Sequence, residues 1–271
     1  MIRIGAVNYL NTKPLIEGLE RFAPEARLTL DLPSRLADQM HRNELDVGLI
    51  PVAEFFRAKN YSIIPNCSIS CAGPVLSVTV FSRVPWDDIQ SVSLDEGSRT
   101  SAALTKVLLN RPGIQYRQLP IDQPADDVET DAVLLSGDRA MKACLPGFKY
   151  SYDLGQVWWE RTGLPMVFAV WAVRPGMHLG RTAGAFVQAK HHGLGRSGVI
   201  AEREAKLLNL DAGYCRRYFD TIIRYDLGEL ELAGLKRFAT EAAVLGLIPE
   251  GVRCEFYGAD ERDRPHPGQS R

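Results

Sequence analysis

No stretch of this 271-residue chain has the length and apolarity of a membrane span; the longest apolar run, Pro165 to Val173, is broken by its proline and closed by Arg174. It reads as a buried strand. Surplus charge is also missing: Lys+Arg 32 against Asp+Glu 33 leaves a net charge of -1 and no electrostatic footprint for nucleic acid or an anionic membrane. Neither is expected as a partner, which leaves a small molecule. Cysteine is sparse. Cys67 and Cys71 form the only close pair and lack C-x-x-C spacing, while Cys144, Cys215 and Cys254 are scattered, so no metal site is expected and the thiols read as reduced core residues. Histidine is equally unpromising: His178, His191 and His192 fall on or near a surface helix and His266 in a polar tail, and His41 ends an amphipathic helix where a cation suits the dipole. No basic and apolar leader precedes the first strand pattern at residue 1, so a cytoplasmic address is expected. A nucleophile elbow, a phosphate loop and a dinucleotide fingerprint are all absent; Gly5 lacks the following glycines, and no cofactor is expected.

What is present is a rhythm of strands and helices, the pattern of βαβ units around a largely parallel sheet. Ile2, Ile4 and Val7 make a strand; Leu15, Leu19 and Phe22 share one helical face; Leu28 to Leu30 is a second strand; and Ser34 can cap a helix carrying Leu36 and Met40. Asp46 to Pro51 is a short apolar run without alternation, as a strand covered on both faces requires, and Pro51 then opens a helix through Phe55 and Phe56. The segments Val75 to Ser82 and Val167 to Val173 read as strands crossing between two lobes. Between them Ser91 to Leu94, Ser98 to Leu109, Ile114 to Leu119, Ala132 to Leu135 and Gly137 to Cys144 form a self-sufficient α/β set. A discontinuous first lobe over 1–82 and 175–258, an inserted second lobe over 83–174 and a flexible polar tail over 259–271 follow. The fold class expected is α/β, two-lobed, with a ligand cleft between the lobes, as in type II periplasmic-type binding proteins.

The polar strand tips are the candidate site, since open α/β sheets bind ligands there. Asn8, Tyr9 and Asn11 follow the first strand. Ser98, Arg99, Thr100 and Ser101 crowd hydroxyls and backbone N–H groups at a helix start, a seat for a carboxylate to which Arg99 could add a fork of donors. Ser98 or Thr100 could equally be no more than the helix cap. Ser136 and Gly137 let a ligand approach the next tip, where Asp138 reads as a cap more readily than as a base. Gly73 and Pro74 turn the chain toward Ser77, whose hydroxyl faces cleft or core on equal terms.

The motifs Val7 to Leu15, Leu45 to Phe55, Gly73 to Ser77, Ser98 to Leu104 and Leu135 to Ala140, taken in order, resemble the chorismate dehydratases that open the futalosine route to menaquinone. The resemblance covers nearly all of the chain before the tail. It implies a cytoplasmic enzyme of periplasmic-binding-protein-like fold that converts chorismate, a dicarboxylate, to 3-[(1-carboxyvinyl)oxy]benzoate without a cofactor. It also implies Asn11 and Ser77 as the active-site asparagine and serine. Two alternatives stay open at this level: a non-catalytic binding protein for a small carboxylate, and a sister enzyme of the same pathway acting on a larger ligand.

Overall fold

A computed structural model describes residues 1–58 and 60–258 of the chain; the tail expected at 259–271 lies outside the described residues. The first lobe begins with strand β1 (Ile2–Val7), a short helical turn at Leu10–Thr12, and helices α1 (Lys13–Ile16) and α2 (Leu19–Phe22). The single helix expected through Leu15, Leu19 and Phe22 is thus two, because Gly18 takes a left-handed conformation, φ 75°, between them. Strand β2 (Ala26–Asp31), helix α3 (Pro33–His41), strand β3 (Val47–Pro51), helix α4 (Val52–Arg57) and strand β4 (Ser62–Cys71) follow. Helix α3 starts at Pro33, whose missing N–H suits a first turn, so Ser34 is inside the helix and not its cap, while Leu36 and Met40 are buried as expected.

The second lobe comprises β5 (Val78–Ser82), β6 (Ser91–Asp95), α5 (Arg99–Leu108), β7 (Gln115–Leu119), β8 (Ala132–Ser136), α6 (Asp138–Lys142) and β9 (Tyr150–Asp153). Helix α7 (Leu154–Thr162) then leads back to strand β10 (Met166–Val173). The helices α8 (Thr182–Leu194), α9 (Ser197–Leu208), α10 (Ala212–Arg217) and α11 (Glu229–Val244) complete the described chain. No helix among the described residues is long and apolar enough to cross a membrane.

Two five-stranded sheets result, ordered β2-β1-β3-β10-β4 and β7-β6-β8-β5-β9. The cuts expected after residues 82 and 174 would leave β5 with the first sheet and β10 with the second. Pairing decides otherwise. β5 is hydrogen-bonded from Val78↔Ser136 to Ser82↔Ala132 in the second sheet, and β10 lies antiparallel between β3 and β4 in the first. The strands therefore do not cross: the chain passes between lobes through residues 72–77 and returns through α7 and residues 163–165. β3 and β10 are buried along their whole length, which explains their unalternating apolar sequence. One core joins the first sheet to the inner side of the second, and Leu119, Val133, Leu135 and Phe148 form a smaller cluster of their own. On α11, Leu235, Phe238 and Ala242 are the buried stripe, with Phe238 edge-on to Trp158.

Candidate active site

The cleft between the sheets holds a small cavity of about 50 Å³. Its polar lining comes from Tyr9 and Asn11 after β1, Ser77 between β4 and β5, Ser98 and Ser101 at the start of α5, and Ser136 and Gly137 after β8. Val7, Pro33, Pro51, Ile69 and Phe168 are among the apolar walls. Among the described residues that line it there is no side chain carrying a formal charge.

Ser77 ends a tightly held crossing. Asp153 caps α7 by accepting the N–H of Gln156 at 3.1 Å, and the same carboxylate accepts Val75 N–H at 3.0 Å and Leu76 N–H at 2.7 Å. Burial pushes the Asp153 carboxyl up from its ordinary value, against the pull of those N–H groups. Leu76 is held in the left-handed region, φ 60°, a conformation a leucine adopts only where its surroundings compel it. The next residue is Ser77, 1% exposed, whose Oγ accepts the Tyr218 hydroxyl at 2.7 Å and whose carbonyl accepts Gly137 N–H at 2.7 Å. Facing it, Asn11 lies on the single helical turn after β1, where Thr12 donates to its Oδ1 at 3.3 Å.

On the second-lobe side Ser98 caps α5: its Oγ accepts Ser101 N–H at 3.4 Å and lies 2.8 Å from Ser101 Oγ. The cap and the cleft-lining role coincide, and the helix N-terminus adds partial positive charge at this wall. Ser136 Oγ and the Tyr9 hydroxyl are buried and have no protein partner. Burial, with Asp95 and Asp138 nearby, holds the Tyr9 phenol well above its ordinary value, so it is a neutral donor. Tyr9 reaches across from the first lobe onto Gly137, where a Cβ would stand 2.7 Å from its ring. The smallness of Gly137 therefore makes room for Tyr9 first.

Several expected ligand contacts serve instead to hold the lobes together. Arg99 turns away from the cleft: its guanidinium meets Asp38 at 2.9 and 3.1 Å and Glu54 at 3.0 Å, carboxylates of α3 and α4. Two partners already fill the fork meant for a ligand. Thr100 is buried, with its Oγ1 accepting Ala53 N–H, an otherwise orphan donor in the first turn of α4, at 3.1 Å. Thr100→Val is expected to lower unfolding stability by about 1–3 kcal/mol, measured by denaturant melts, because a buried N–H loses its acceptor at nearly constant shape. Asp138 caps nothing through its side chain: Gly137 is the N-cap of α6, and Asp138 Oδ1 accepts Leu10 N–H across the lobes at 3.0 Å. Burial raises its carboxyl above the ordinary range. Asn8 is exposed and accepts Lys13 Nζ at 3.0 Å, and Gly73, φ 117°, shapes the crossing; neither lines the cleft. Tyr218, 141 positions from Ser77, carries no signal of this contact in the residue pattern. Its only local signal is a π-helical turn at Tyr218–Ile222, a departure from regular helix that no residue pattern announces.

Comparisons with known proteins place this arrangement among relatives. A sequence family described as menaquinone biosynthesis matches residues 2–244. A chorismate dehydratase of Thermus thermophilus is 34% identical over 91% of this chain and 96% of its own length, and one of Campylobacter jejuni is 26% identical over 90% and 98%. Among solved structures, protein AF1704 of Archaeoglobus fulgidus superposes with a TM-score of 0.70 at 18% identity, covering 91% of this chain and 98% of that one. The periplasmic aliphatic sulphonate binding protein SsuA of Escherichia coli gives 0.61 at 16% identity, covering 100% and 97%. At such identities these two structures speak to the fold alone, a two-lobed binding-protein architecture.

Proposed function

The chain belongs to the menaquinone biosynthesis family, and on that premise we propose that it removes water from chorismate to give 3-[(1-carboxyvinyl)oxy]benzoate. The observation that carries the reading is the cleft itself: Asn11, Ser77 and the orphan hydroxyls of Tyr9 and Ser136 converge on one apolar-walled space whose lining holds no ionised base. Such a lining can orient and desolvate a substrate but offers little to abstract a proton, and chorismate needs little help. Breaking the ring C–H beside the hydroxyl-bearing carbon turns that electron pair into the third ring double bond. The C–O bond breaks at its neighbour, and the hydroxyl leaves with a proton as water. Aromatisation supplies the driving force; positioning supplies the rate. A carboxylate of the bound substrate takes the ring proton and passes it to the departing hydroxyl, which leaves as water, with Asn11 and Ser77 orienting both groups. The Ser98–Ser101 helix start and Ser136 hold the carboxylates by hydrogen bonds. The reaction runs in the cytoplasm, the compartment the family resemblance implies.

The test is incubation of the purified protein with chorismate, following loss of its ultraviolet absorption and formation of the substituted benzoate. Stoichiometric conversion is expected. Chorismate recovered unchanged would sink the reading, and tight binding without conversion would favour a binding protein. Asp138 is the protein-borne alternative as base, but its Oδ1 already accepts Leu10 N–H. Since an asparagine oxygen can accept that bond too, Asp138→Asn is expected to lower kcat less than about tenfold, the loss of an ordinary general base being about 100-fold or more. An Asp138→Asn enzyme that binds chorismate and does not turn it over would move the base to Asp138.

A further inference from the structure

Tyr218 contributes no surface to the cleft, yet it is joined to a residue that does. Its side chain is fully buried, and its hydroxyl donates to Ser77 Oγ at 2.7 Å. The π-helical turn that carries it, Tyr218–Ile222 after α10, is a rare local distortion of the kind that accumulates at functional sites.

A serine hydroxyl has one proton and two lone pairs. Once a lone pair of Ser77 is occupied by the phenol proton, the serine's own proton has to find an acceptor elsewhere, and Ser77 lines the cleft while Tyr218 does not. The geometry points to Tyr218 as a positioning residue that makes Ser77 a hydrogen-bond donor to the ligand, aimed at the ring hydroxyl that leaves as water. The inference rests on the dehydration proposed above and adds a direction to it: Ser77 donates to the leaving oxygen and takes no proton itself. No net transfer occurs through Tyr218, which keeps its proton throughout.

Tyr218→Phe removes one oxygen from a packed site and decides the matter. In the variant Ser77 is free to turn its proton away, and kcat is expected to fall about 10- to 100-fold, somewhat less than for loss of a direct transition-state donor. Affinity for the benzoate product, which has no ring hydroxyl, is expected to stay within about twofold by calorimetry, since only the bond to the leaving group is weakened. An unchanged kcat overturns the inference, as does a parallel loss of kcat and product affinity, which would mean that Tyr218 merely supports the wall. If the variant folds poorly, the Tyr218 hydroxyl proton of the wild type, read by NMR, decides instead: slow exchange and a shift on Ser77→Ala are expected, and fast exchange unmoved by that change overturns it. A wild type that leaves chorismate intact defeats the dehydration reading; an active wild type matched by Tyr218→Phe defeats only this one.

Discussion

Ser77→Ala and Asn11→Ala are each expected to reduce kcat by about 100- to 1,000-fold with a much smaller rise in KM, the scale seen when a preorganised donor to a developing charge is removed. The reasoning is geometric. Ser77 is placed by a crossing that Asp153 holds through two backbone N–H groups, those of Val75 and Leu76, with Leu76 forced to φ 60°, so its hydroxyl is fixed before any ligand arrives. Asn11 sits on a one-turn helix whose neighbour Thr12 holds its carbonyl oxygen. Both groups reach the same space, Asn11 from the first lobe and Ser77 from the connection between the lobes. Such fixed dipoles lower a barrier because they need no reorganisation when charge moves. Assay of benzoate formation under saturating chorismate checks each variant, and near-normal turnover in both would remove these residues from the chemistry. Folding is read alongside, since neither truncation opens a large cavity.

Gly137→Ala is expected to lower stability by about 2–4 kcal/mol, combining backbone strain with overpacking, and to abolish most activity with it. Gly137 has φ 62° and ψ -143°, a combination nearly closed to residues with a Cβ. The added methyl would also meet three atoms of the Tyr9 ring at 2.7, 2.7 and 2.9 Å. Tyr9 would have to leave, and with it the first lobe's contact beside the cleft. Denaturant melts of Gly137→Ala, Tyr9→Ala and the double variant separate the two causes: the double variant is expected to recover the steric part and retain the strain. A Gly137→Ala protein as stable as the wild type would show that this contact is not as described.

The architecture was legible because it rests on repeating local physics. Buried parallel strands read as unalternating runs, as in Val47–Pro51, and their tips carry the small and polar residues that a ligand can approach. Strand β4 is not among the strands expected: Pro65 and the left-handed Asn66 interrupt its pattern, and it lies at the sheet edge, where a proline is tolerated. Side-chain direction was less legible still. Arg99 and Ser101 share one helix start, but Ser101 lies on the cleft side while Arg99, more than half a turn away around the helix, meets Asp38 and Glu54, and no spacing in the sequence encodes those partners. Asn8 and Asn11 look alike in the sequence, yet the turn at Leu10–Thr12 brings only Asn11 to the cleft. Tyr218 depends on a contact between distant parts of the chain, which single-sequence reasoning has no means to see.

The bonds from Thr100 to Ala53, Asp138 to Leu10 and Arg99 to Asp38 and Glu54 all bridge the lobes around the rim of the cleft. Any wider parting of the two halves has to break these fastenings, so a catalytic cycle that needs such a parting to admit or release its guest is slowed by them.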